Sequence, residues 1–113
     1  MAIQVLNMDE FNKEVLQEKD KLVLVDFWAV WCAPCQFLNP VIEELHNEFK
    51  DDLKVVKVNV DEASDVAASY SIMSIPTVMF FRNGEQVKTM IGAQPLDVFK
   101  NVVKDLLASK DEE

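Results

Sequence analysis

Glycine is nearly missing from this chain: 113 residues contain two, where average usage of about 7% would supply roughly 8. That excludes a glycine-rich phosphate loop, since Gly84 and Gly92 stand apart, and with it the usual sequence signature of nicotinamide or flavin binding. Cysteine is scarce too, with only Cys32 and Cys35. A small secreted domain that leans on disulfides carries several bridges, and one bridge across two intervening residues closes too little chain to stabilise much. Basic residues are outnumbered by acidic ones, 11 to 20, for a net charge of -9. Nucleic acid as a main partner is therefore excluded, and an anionic membrane surface is disfavoured, because both need clustered Lys and Arg. The longest uncharged apolar run, from Phe27 to Cys35, is far below the roughly 20 residues of a membrane helix. Met1 to Glu10 has neither a basic stretch nor an apolar core, so no signal peptide is expected. The expectation is a cytoplasmic, monomeric protein folded as one domain over residues 1–113.

What is present is a globular pattern: 50% of residues are hydrophobic and 27% charged, enough apolar surface for a core. Asp9 is positioned to cap a helix that presents Phe11, Val15 and Leu16 on one side. Lys21 to Trp28 is almost continuously apolar and predicts a central strand buried on both faces. Leu38, Val41, Ile42, Leu45 and Phe49 recur at helical spacing, in a helix that starts near Pro34 and is expected to kink at Pro40. Val55, Val56, Val58 and Val60 mark another strand, and Ala63 to Tyr70 a short helix. Thr77 to Phe81 and Glu85 to Ile91 flank Asn83-Gly84, a strong hairpin signal. Leu96, Phe99, Val103 and Leu106 stripe a last helix, and residues 109–113 read as a frayed acidic tail. The order β-α-β-α-β-α-β-β-α is an α/β fold with a mostly parallel sheet and a final antiparallel pair.

Cys32-Ala33-Pro34-Cys35 falls where a buried strand ends and a helix begins. Free amide donors and the helix dipole favour a thiolate there, so Cys32 should have a depressed pKa. Thiolate is the attacking species in disulfide exchange. Cys35, one turn along, is close enough for a disulfide but turned inward, as a shielded resolving thiol would be. Pro34 stiffens the turn between them. A structural zinc site needs about four ligands, and only His46, read as a solvated helix position, could join the cysteines. No metal is expected. Two inert core cysteines are the remaining bland reading, which the strand-to-helix setting and flanking Trp31 weigh against.

The segment from Asp26 to Cys35 closely resembles the active site of the thioredoxin family. The likeness continues through Asn59-Val60-Asp61, Ser74-Ile75-Pro76-Thr77, Phe81-Arg82-Asn83-Gly84 and Gly92-Ala93, in order along nearly the whole chain. It implies a thioredoxin fold, a central five-stranded mixed sheet flanked by four helices. It also implies a protein-disulfide reductase that uses no cofactor beyond its own redox-active disulfide and is re-reduced by a separate thioredoxin reductase.

Asp26 is a carboxylate in an apolar strand, where desolvation raises a pKa; the residue alone could equally be an acceptor of backbone hydrogen bonds. The resemblance implies proton transfer toward Cys35, with Lys57 nearby, although Lys57 could also be a solvated strand residue. Pro76 resembles the family's cis-proline, against a base rate for cis X–Pro of about 5–6%. Trp31, Ile75, Pro76, Gly92 and Ala93 then form the implied substrate face, with Trp28 packed beneath.

Ala33, Ser71 and Ser74 stand where relatives often carry Gly, and Val30 and Gln36 where they often carry charge. Where backbone angles allow, replacing Gly stabilises by about 0.4–1 kcal/mol per site, so a stiffer chain is expected. Two other readings of the same fold are an oxidant or isomerase, disfavoured by the lack of His between the cysteines, and a binding subunit that needs no turnover.

Overall fold

The computed structural model describes residues 2–109. Its elements are β1 (Ile3–Val5), α1 (Met8–Phe11) running into a π-helical turn (Asn12–Leu16), β2 (Leu22–Trp28), α2 (Ala33–Phe49), β3 (Leu53–Asn59), α3 (Ser64–Ser69), β4 (Thr77–Arg82), β5 (Glu85–Ile91) and α4 (Leu96–Ser109). The five strands form one sheet in the order β1-β3-β2-β4-β5. β3 pairs parallel with both β1 and β2, while β4 pairs antiparallel with β2 and β5. The predicted order and the mixed five-stranded sheet both hold.

The unbroken apolar run in β2 is explained by its central place, with helices covering both faces. Side chains alternate across a strand, so Val23, Val25 and Phe27 pack with Phe11, Val15 and Val66 on the face of α1 and α3. Leu22 and Leu24 pack with Leu38, Ile42, Leu45, Phe99 and Val103 on the face of α2 and α4. The same alternation turns Asp26 toward the second face. Its register partner on β3 is Lys57, so sheet pairing alone sets these two side by side.

Several local expectations change. Asn7 caps α1, not Asp9: Asn7 has extended backbone and its side chain accepts from the Glu10 amide, while Asp9 already lies inside the helix. β3 ends at Asn59, one residue before Val60. His46 is half-buried rather than solvated. Ser109 is the last residue of α4, where its hydroxyl donates to the Leu106 carbonyl at 3.1 Å; residues 110–113 of the expected tail lie outside the described residues.

The hairpin prediction holds in detail. Asn83 and Gly84 have φ of 52° and 80°, the pair of positive values that a two-residue primed turn needs. A Cβ on Gly84 would also sit 2.6 Å from the Leu16 carbonyl oxygen. Ser71 departs from expectation, with φ of 52°. It follows α3 as the left-handed residue of a Schellman cap: the Ser71 amide donates to the Ala68 carbonyl and the Ile72 amide to the Ala67 carbonyl. Serine there bears a left-handed penalty, so the expected gain from replacing Gly is reversed at this position. Ala33 and Ser74 carry no such strain.

Candidate active site

β2 ends at Trp28, and a turn through Val30 and Trp31 carries the chain to α2. Cys32 is the N-cap of that helix, with extended backbone, and its Sγ accepts a hydrogen bond from the Cys35 amide at 3.2 Å. Pro34 occupies the first turn, where its missing N–H has no intrahelical partner to lose. Cys32 and Cys35 form a disulfide, with Cα atoms 5.3 Å apart. In this oxidised state both are buried, Cys32 4% and Cys35 2% exposed. The expected contrast between an open and a shielded cysteine is therefore small here, because Val60 and Ile75 pack against the pair together with Trp28.

β2 carries the one buried carboxylate of the described residues. Asp26 is 1% exposed, and its Oδ1 has no hydrogen-bond partner among them. Burial pushes its pKa up to about 6, partly offset by the Lys57 ammonium. That ammonium stands 3.9 Å from Asp26 Oδ2, too far for a hydrogen bond. Instead, Lys57 Nζ donates to Asn39 Oδ1 at 2.9 Å and lies 5.2 Å from the centre of the Trp28 ring. Lys57 is thus half-buried and engaged, not a solvated strand residue.

Asn39 escaped the sequence reading. Its only signal is spacing: it lies four residues after Cys35 and so shares a helix face with it. Asp61, part of the family-like Asn59-Val60-Asp61 segment, has a role that only the fold reveals: its carboxylate accepts from Trp31 Nε1 at 2.8 Å and pins the indole.

Trp31 is 70% exposed and borders a groove of about 410 Å³ lined also by Val60, Ile72, Met73, Ser74 and Ile75. Pro76 is buried, its bond to Ile75 is cis, and its carbonyl accepts from the Gly92 amide at 2.9 Å. Gly92 is therefore held beside the loop, while it and exposed Ala93 are not among the groove-lining residues. A second hollow of about 290 Å³ shares Ile72, Met73 and Ser74 and reaches to Thr77 and Thr89. Val30 and Phe37 are exposed as well. Among the described residues, no group of three or more His, Cys, Asp or Glu side chains is placed to hold a metal ion.

The family model for thioredoxin matches residues 2–105. The chain belongs to the thioredoxin family. A thioredoxin of Rickettsia felis is 55% identical over 84 residues, 74% of this chain and 79% of that protein. A chloroplastic M-type thioredoxin of Chlamydomonas reinhardtii is 47% identical over 99 residues, 88% of this chain and 71% of that protein. A thioredoxin of Griffithsia pacifica is 44% identical over 109 residues, 96% and 99% of the two chains. As a thioredoxin-family member with its cysteine pair at disulfide distance, the chain is a thiol–disulfide oxidoreductase that works by dithiol–disulfide exchange. The family's chemistry runs through that disulfide without a separate cofactor. No helix among the described residues is long and apolar enough to cross a membrane.

Proposed function

We propose that this chain reduces the disulfides of other proteins, with Cys32 as the attacking thiolate. The observation that carries the reading is the position of Cys32 Sγ at the N-cap of α2, accepting the Cys35 amide. An N-cap sulfur sits at the positive end of the helix dipole, which favours its anion. The thiolate attacks one substrate sulfur, forming a mixed disulfide and expelling the other sulfur as a thiolate. Cys35 loses its proton to Asp26 and attacks Cys32 Sγ, which releases the second substrate thiol and leaves Cys32–Cys35 oxidised. Asp26 suits this step because a pKa of about 6 leaves it ionised yet basic near pH 7. Lys57, held by Asn39, restrains that pKa from rising further, and Pro34 keeps the two sulfurs on one short turn. Trp31, Ile75, Pro76, Gly92 and Ala93 form the apolar face on which substrate rests.

The proposal extends to a monomer, one domain over residues 1–113, and a separate reductase that restores the dithiol. It also places the chain in the cytoplasm, supported by a cysteine content confined to the redox pair; cell fractionation checks that placement.

The test of mechanism is insulin reduction. Cys32→Ser should abolish turnover. Cys35→Ser should accumulate mixed disulfides, visible as a mass shift that dithiothreitol removes. Multiple-turnover reduction by Cys32→Ser would overturn the assignment of the nucleophile.

A further inference from the structure

Met73 is the most exposed of the large hydrophobic residues described, at 93%. With Ile72 and Ser74 it lines both hollows, the one bordered by Trp31 and the one that reaches Thr89. Its thioether therefore meets solvent at the place where an apolar surface is most useful. The other described methionines are sheltered: Met79 is 5% and Met90 8% exposed, and Met8 is half-buried. In the oxidised chain both cysteine sulfurs are tied in the disulfide. Thioether sulfur is then the remaining sulfur open to peroxide, and exposure selects among thioethers.

We propose that Met73 is a peroxide-modified residue whose oxidation weakens docking of protein disulfides at the adjoining groove. The inference rests on the reading of that groove as the substrate face. The Met73 sulfur attacks one peroxide oxygen, the O–O bond breaks, and the other oxygen leaves as water. Sulfur gives up two electrons and becomes a sulfoxide, while hydrogen peroxide is reduced. A flexible apolar side chain becomes polar and chiral. Of the side chains that line the groove with it, Val60, Ile72 and Ile75 carry no donor, the Trp31 N–H is committed to Asp61, and only the Ser74 hydroxyl remains. A partner pressing an apolar segment against Met73 must then desolvate the sulfoxide. Methionine sulfoxide reductases, one for each epimer, reverse the change with electrons from a dithiol.

The experiment treats the oxidised protein with hydrogen peroxide and follows it by peptide mass mapping. Met73 should gain one oxygen before Met8, Met79 and Met90. KM for insulin should rise by about 3–10-fold, the cost of spoiling one apolar contact at an interface. The rate with the small disulfide dithiobis-nitrobenzoate should not move, and the two sulfoxide reductases with dithiothreitol should restore KM. Met73→Leu, compared with itself before and after peroxide, should show no change. Oxidation of Met8, Met79 or Met90 ahead of Met73, or an equal KM rise in Met73→Leu, would overturn the proposal. If untreated protein fails to reduce insulin at all while the mass map still selects Met73, the reductase reading fails and the modification stands.

Discussion

Asp26 carries the sharpest energetic conflict in the molecule. A carboxylate with a bare Oδ1 is buried in an apolar strand, and its pKa of about 6 compares with 3.8 unburied. The protonated form is favoured by folding, so this residue costs no stability below the unfolded value. The cost grows as pH climbs from 3.8 to about 6 and levels off above that at about 3 kcal/mol. Asp26→Asn should therefore melt later than wild type at pH 8, by up to about 3 kcal/mol, and nearly together with it at pH 3. Denaturant titrations at the two pH values check this; equal gains at both would mean the burial penalty lies elsewhere. The same variant should slow the resolving step near neutral pH if Asp26 accepts the Cys35 proton as proposed; an unchanged rate would assign Asp26 a structural role only. The sequence exposed this group because a lone Asp interrupts Leu22 to Trp28. It hid Asn39, because a polar residue on a surface helix is ordinary until the fold places it against Lys57.

At the scale of elements, turns and helix ends carry the local decisions. Gly84 is fixed twice over, by positive φ and by the Leu16 carbonyl 2.6 Å from where a Cβ would stand. Gly84→Ala should cost about 2–3 kcal/mol, read as a lower unfolding midpoint, because neither the turn nor the carbonyl can yield cheaply. Ser71 is the opposite case. Its left-handed backbone closes the Schellman cap of α3 without a glycine, so Ser71→Gly should stabilise by about 0.5–1 kcal/mol in the same assay. Asn83-Gly84 was legible because two positive-φ residues in a row have a strong sequence signature. Ser71 was not, since nothing in a serine announces positive φ. The cap of α1 was missed by two residues for a similar reason: Asn7 and Asp9 are both good caps, and the choice depends on where the chain leaves β1.

Over the whole molecule the net charge is acidic, at -9, while the groove that Trp31 borders is lined also by Val60, Ile72, Met73, Ser74 and Ile75, none of them charged. Long-range charge should govern how partners arrive, and the apolar face should govern how long they stay. Association with a basic protein disulfide should slow several-fold when salt rises from about 0.01 to 0.15 M, as the screening length falls, while dissociation barely moves. Stopped-flow measurements on reduced protein separate the two rates, and a dissociation rate that follows salt would place charge inside the interface. The α/β order was readable at this scale because a doubly covered central strand and amphipathic helices leave strong periodic patterns.

Composition and local pattern sufficed for the fold class, the hairpin and the redox pair, since each depends on neighbours in the chain: strand then helix, cysteine then cysteine, asparagine then glycine. What stands around Asp26, Pro76 and Trp31 came from distant segments meeting. Lys57 reached Asp26 through parallel register between β2 and β3, Gly92 reached Pro76 across the sheet, and Asp61 fastened Trp31 from beyond the end of β3. Burial works the same way. Whether a carboxylate is solvated, a serine strained or a methionine left bare is a property of what packs around it, and only folding brings those surroundings together.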